Sequence, residues 1–388
     1  MASEIRTHVL DLIEAWEEEQ LDFLIALCNQ NSYTFHKKGT DRVAAMILEK
    51  LYDVFPIHQK IEQSEVGDHH ILKTGTSGKF VYLLGHMDTV FPPDHSFQTC
   101  RRDGDWLGGP GTADMKGGLV VIIYALKALN QAGVLDSLDV AFILGGDEEN
   151  GSITSQKIYE EERQKAWICL VGECAGENGE IVVSRNGKAG GRLDCYGRDR
   201  HVGAPTEEKT SAILELAHHI IAFEALNGMF PGVRVNAGRI EGGLGPGTVP
   251  AQASLLFDLR WEKEEHFAPL YRRIQEIAAR PLQPQGSSRL TLGNHRPAMP
   301  ASPKTETAIS LLRKTAGVLG QEITTEHRRG TSDGNYFGAA GVPTLDGFGP
   351  VGIMDHTPEE RILITSLKAR TSLLASYLLR LKDVELPL

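Results

Sequence analysis

Histidine and carboxylate side chains gather at four places in this 388-residue chain, each at a joint between an apolar run and a polar loop. They are Gly85-His86-Met87-Asp88, then Gly109-Pro110-Gly111-Thr112-Ala113-Asp114-Met115-Lys116-Gly117-Gly118-Leu119-Val120, then Gly146-Asp147-Glu148-Glu149, then Gly172-Glu173. A late histidine in Met354-Asp355-His356-Thr357 joins them. Imidazole nitrogen and carboxylate oxygen suit a borderline cation such as Zn²⁺, held at roughly 2.0–2.2 Å. Charged groups at the buried ends of strands are costly unless they bind something. The chemistry indicated is a single metal site.

Taken singly, each cluster has an ordinary structural reading. His86 and Asp88 lie two apart at a strand end and so point to one face. Asp88 then either accepts the second N–H of His86 and fixes its tautomer, or caps a helix. Asp114 alone reads as a cap, and Glu148-Glu149 alone as a solvated loop. Recurrence at the ends of successive apolar elements points instead to a shared metal. Neighbours in an extended segment face opposite ways, so Glu148 and Glu149 are poorly placed to serve one ion together. The pairs His69-His70 and His218-His219 lack this context and are expected at the surface.

The elements that must position these groups follow from periodicity. Val9, Leu10, Leu12, Ile13 and Trp16 recur at helical spacing, and Leu21 to Leu27 continue the pattern. Phe80 to Leu84, Val140 to Leu144 and Trp167 to Val171 are short apolar runs, with the helical stretch Leu119 to Leu129 between the first two. Strand, helix, strand with short connections predicts a βαβ arrangement and a mostly parallel sheet. The acids then stand outside the carboxyl ends of the strands, where open α/β sheets bind ligands.

From about Gly187 to His295 the character changes. Gly190 to Tyr196 and Leu255 to Arg260 alternate like half-exposed strands, and Ser211 to Phe223 reads as an amphipathic helix. Glycine-rich Val235 to Pro250 is expected to be loop, and the proline-bounded polar stretch Pro281 to Pro300 a return linker. The expected organisation is an α/β domain over 1–186 and 296–388, with an α+β domain inserted at 187–295. Helix Thr305 to Leu319 and a strand near Val342 to Leu345 belong to the resumed first domain.

Composition bounds the function. Apolar residues make up 41% and charged residues 23%, as in an ordinary globular protein. A formal charge of −11 argues against nucleic acid or an anionic membrane as partner. The five cysteines are scattered, without a Cys-x-x-Cys pair, which favours reduced thiols. Met1 to Gln20 is acidic and unlike a signal peptide, and no apolar run approaches the roughly 20 residues of a membrane helix. A soluble cytoplasmic protein is expected.

Gly-His-x-Asp, Gly-x-Gly-x-x-Asp-Met-Lys-Gly-Gly, Asp-Glu-Glu, Gly-Glu and the late histidine together resemble the co-catalytic zinc metallopeptidase superfamily. That group includes glutamate carboxypeptidases of the carboxypeptidase G type, aminoacylases, acetylornithine deacetylases and succinyl-diaminopimelate desuccinylases. The resemblance implies an α/β catalytic domain with an inserted, ferredoxin-like lid and dimerisation domain, and hence a homodimer. It implies two Zn²⁺ per subunit, with Co²⁺ or Mn²⁺ as substitutes. His86 would bind one ion and His356 the other, Asp114 would bridge them, and Glu149 and Glu173 would complete the two shells. Glu148 would be the general base and Asp88 the partner of His86. Arg200-His201-Val202-Gly203-Ala204 resembles the family's lid histidine segment, which makes His201 an oxyanion donor, although Lys209 and Ser211 stand where the family usually has Gly and Asn. Arg260 resembles a substrate-binding arginine and Arg329 is a second candidate; the planar guanidinium fork matches a carboxylate. Gly247-Thr248-Val249-Pro250 replaces a usual Asn-x-x-Pro, with Asn236 as a possible substitute.

The leading expectation is amide hydrolysis releasing a C-terminal amino acid from a small molecule or short peptide with a free carboxylate. The alternative within enzymes is an N-acyl-amino-acid deacylase. A non-catalytic binding protein of the same fold is the third reading, and the complete ligand set with Glu148 argues against it.

Overall fold

The computed structural model describes residues 2–76, 78–203 and 209–382. Its chain forms two compact units: Met1–Ser184, Ala301–Arg328 and Ser332–Leu388 in the first, Arg185–Pro300 with Arg329–Thr331 in the second.

The first unit is built on a six-stranded sheet in the order Ile57–Ile61, His69–Lys73, Val140–Gly145, Phe80–His86, Ala166–Val171, Thr344–Leu345. The last four strands are parallel and the first two antiparallel. All residues of Phe80–His86 and Val140–Gly145 are buried, because helices cover both faces of the sheet; this is why those strands read as continuous apolar runs. Helix Gly117–Gln131 buries nearly every side chain between the sheet and the terminal helix Ile364–Lys382. Tyr159, Tyr336 and Phe337 close the opposite face. From Phe80–His86 the chain crosses first to Val140–Gly145 on one side, then returns to Ala166–Val171 on the other. The order reverses at Phe80–His86, and a crevice opens at the strand ends there.

The glycines of the Asp114 stretch have specific work in this packing. A Cβ on Gly118 would lie 1.6 Å from the carbonyl oxygen of Gly172, so only glycine lets the helix start press onto the end of the neighbouring strand. Gly111 adopts φ 75°, a left-handed turn that a side chain would strain.

The second unit folds as strand Gly187–Tyr196, helix Ala212–Glu224, strands Arg234–Gly242 and Gln252–Trp261, helix Phe267–Ala278 and strand Ser287–Arg296. The sheet order, 234–242, 252–261, 187–196, 287–296, is wholly antiparallel, a ferredoxin-like arrangement. Ser211 caps its helix, accepting the Leu214 amide at 3.3 Å.

Three sequence expectations fail here. Val235 to Pro250 is not simply loop: Arg234–Gly242 is an edge strand, paired with Gln252–Trp261 through an irregularity at Ala237/Arg239. Its side chains are mostly exposed, so no apolar alternation marks it. Pro281 to Pro300 is not a linker either, since it contains strand Ser287–Arg296. The surface assignment of the histidine pairs also fails for His69, His70 and His219, which are buried; His218 is exposed. His69 accepts the Gly146 amide at 3.1 Å on Nδ1 and meets Thr154 Oγ1 at 2.8 Å through Nε2, so it shapes the turn that leads to Glu148.

Candidate metal centre

His86 ends its strand fully buried. Its Nδ1–H donates to the main-chain carbonyl of Asp88 at 3.0 Å, which leaves the Nε2 lone pair facing the crevice. That Nε2 lies 3.0 Å from Asp114 Oδ1 and 3.6 Å from Glu173 Oε1. On the other side, His356 Nε2 lies 3.1 Å from Asp114 Oδ2 and 3.0 Å from Glu149 Oε2. Asp114 therefore offers one oxygen to each imidazole, and each imidazole has its own glutamate. His86, Asp114 and Glu149 form one potential donor group, and Asp114, Asp355 and His356 another. The backbone of Met354 and His356 is left-handed, φ 63° and 61°, an unfavourable conformation for side-chain-bearing residues that is held where the imidazole meets the acids. The Asp114–Met115 peptide is cis.

Electrostatics tests whether cations fit. Burial and the charge of Asp114 push the Glu149 carboxyl well above its ordinary range, and the His356 hydrogen bond only partly offsets them. Burial and Asp114 do the same to Glu173. Glu148 adds repulsion to both, which places its charge beside the cluster. His356 is pushed up to about 11 by its hydrogen bonds to Asp114 and Glu149. Burial alone would lower His86, but the bonds to Asp114 and Asp88 raise it well above the usual imidazole value. The cluster thus holds more buried negative charge than its own cations neutralise, and its donors are imidazole and carboxylate. Divalent cations of the zinc, manganese or cobalt kind fit both the charge and the donor chemistry.

Asp88 is fully buried, and its carboxylate does not chiefly serve His86. It accepts the Glu148 and Glu149 amides at 3.1 and 3.2 Å and the Thr34 hydroxyl at 2.7 Å; its nearest approach to His86 Nδ1 is 3.4 Å. Asp88 therefore fixes the turn that carries both glutamates. That turn, Glu148–Asn150, is a 3₁₀ turn rather than the extended segment expected, and its tight winding still sends successive side chains in different directions.

Glu360 was not singled out by sequence reasoning. Buried at 2% exposure, its carboxylate accepts the amides of Gly111, Ala113 and Asp114 at 3.0, 2.9 and 3.1 Å. Burial pushes its carboxyl up to about 7, against the opposing pull of those amides. Its only sequence signal is a place four residues after His356 in a polar run. Lys116, also buried, ties the same loop down by donating to the carbonyls of Leu27 and Gln30 at 2.9 and 3.0 Å. Glu360→Ala is expected to leave buried amides unpaired, each costing about 1–3 kcal/mol, and to lower both the melting temperature and metal retention. Calorimetry beside metal analysis checks this; an unchanged melting temperature would show that the loop holds itself.

The remaining candidates lie in the second unit. Exposed His201 accepts the Gly203 amide at 3.1 Å on Nδ1, and a two-residue ladder pairs it with Thr248; Ala204 of its motif lies outside the described residues. Arg260 pairs with Asp258 through Nε at 2.6 Å. Asn236 faces Asp258 across the edge pair. Arg329 is exposed.

Residues 82–380, well over half of the chain, match the Peptidase family M20/M25/M40. The chain belongs to that family. It is similar to carboxypeptidase G2 from Pseudomonas sp. (strain RS-16), 28% identical over 81% of this chain and 77% of that one. It is also similar to a succinyl-diaminopimelate desuccinylase from Nitrosococcus oceani, 28% identical over 79% of this chain and 85% of the relative. A solved tripeptidase from Staphylococcus aureus shares the fold, with TM-score 0.75 and 19% identity over 95% of this chain and 99% of that one. This M20 chain is accordingly a metallopeptidase or amidohydrolase in its broad chemistry. Among the described residues no helix is long and apolar enough to cross a membrane.

Proposed function

We propose that this protein is a two-metal, zinc-dependent hydrolase that releases a C-terminal amino acid from an amide or short peptide, a carboxypeptidase of the glutamate-releasing type. The observation that carries the reading is the Asp114 carboxylate, with one oxygen 3.0 Å from His86 and the other 3.1 Å from His356. His86, Asp114 and Glu173 would hold one ion and His356, Asp114 and Glu149 the other; Zn²⁺ is preferred, with Co²⁺ or Mn²⁺ as substitutes. When bound, such a pair polarises a carbonyl and lowers the pKa of water. Glu148, on the turn fixed by Asp88, takes the proton from the attacking water and returns it to the leaving nitrogen, so that the tetrahedral intermediate collapses to acid and amine.

In the second unit, His201 is proposed to donate to the developing oxyanion. Arg260, Arg329 and Asn236 are proposed to bind the substrate carboxylate. We also propose a cytoplasmic homodimer joined through that unit, whose surface carries apolar Ile221 and Leu244 at 69% and 88% exposure.

The experiment is a side-by-side assay of benzoyl-glutamate, N-acetylornithine and N-succinyl-diaminopimelate on metal-loaded protein. The highest kcat/KM is expected on benzoyl-glutamate. Strong preference for either acylated diamino acid would replace this reading by a deacylase, a type to which one relative of equal identity belongs.

A further inference from the structure

The first unit has a second cleft, of about 390 Å³, lined by none of the residues of the metal centre. It lies among helices Ala2–Ala15, Pro303–Val318 and Ile364–Lys382. Val134, Val318 and Leu379 give it apolar walls, and Arg6, Lys314, Arg380 and Lys382 bring four positive charges to it. Among the described residues no acidic side chain lines it, and none of the four cations takes part in an ion pair. Ser376, on the same helix face as Leu379 and Arg380, also lines the cleft; it is 3% exposed, yet its hydroxyl has no hydrogen-bond partner.

These observations need an occupant. Arg380 and Lys382 sit in the last turn of their helix and offset its dipole there. That explanation does not extend to Lys314, which precedes the last turn of its helix, or to Arg6, near the start of a helix where the dipole favours acids. The volume falls within the ~300–1,000 Å³ typical of small-molecule sites, and exceeds twice the ~150 Å³ cavity that holds benzene. We propose that this cleft binds an amphiphilic organic anion: an acyl or alkyl body against Val134, Val318 and Leu379, with a carboxylate or phosphate head among the four cations. The chemistry differs from that of the metal centre, which takes cations.

Calorimetric titration of the full-length, metal-loaded protein tests it with decanoate, decyl phosphate, acetate and inorganic phosphate. At least one decyl anion is expected to bind saturably at one site, its identity naming the head group, with acetate and inorganic phosphate at least tenfold weaker. Lys314→Ala with Arg380→Ala should weaken that binding at least tenfold and leave hydrolysis unchanged. Val318→Trp should block it with all four cations intact. All three side chains are exposed, so the fold tolerates these changes. Failure of both decyl anions to saturate overturns the proposal. So does binding that survives both variants, because the anion would then occupy some other place, such as the metal centre.

Discussion

Glu148→Gln is expected to keep its full complement of bound metal and to lose turnover by about 10²–10⁴-fold, the usual contribution of a positioned general base. Glutamine is nearly the same size and leaves the Glu148 amide bonded to Asp88, so the turn and Glu149 stay in place. What disappears is the ability to accept and return a proton. Turnover should fall with little change in KM, the pattern of an interaction made only during the chemical step. Steady-state kinetics beside metal analysis checks it. A variant as fast as the parent would remove Glu148 from the proton path and leave Asp88, His201 or solvent to supply the base.

The second large effect is expected at Asp114. Asp114→Asn removes one negative charge and replaces one of the two oxygens by an amide that cannot coordinate as carboxylate does. Since those oxygens face His86 and His356 separately, metal content should fall at both positions together, and activity with it. The two imidazoles would also lose their shared counter-charge: the hydrogen bonds of His356 and His86 hold the Asp114 carboxyl below its ordinary range, against its burial. Equilibrium dialysis with Zn²⁺ gives the readout. Two ions retained at parental affinity would show that Asp114 does not join them.

How much of this was legible in the sequence depends on how each residue reaches the site. Phe80–His86, Val140–Gly145 and Ala166–Val171 were visible because burial on both faces writes itself as unbroken apolar runs. His86, Glu148, Glu149 and Glu173 were visible because they stand where those runs stop. Arg234–Gly242 was hidden because an edge strand with exposed side chains has no apolar period to display. Glu360 and Thr34 were hidden for another reason: they act through backbone amides or one hydroxyl contact, which impose no spacing. The role of Asp88 shifted likewise, since its proximity to His86 in sequence masked its bonds to amides 60 and 61 residues away.

The bond between Glu360 and the Gly111 amide spans 249 residues of chain. During synthesis, which runs at roughly 5–20 residues per second, the loop bearing Asp114 leaves the ribosome long before its anchor exists. His356 is equally late. A nascent chain that has completed the parallel strands and even the whole second unit still lacks a competent centre. The full donor set therefore comes together only after residues 356 and 360 have been made.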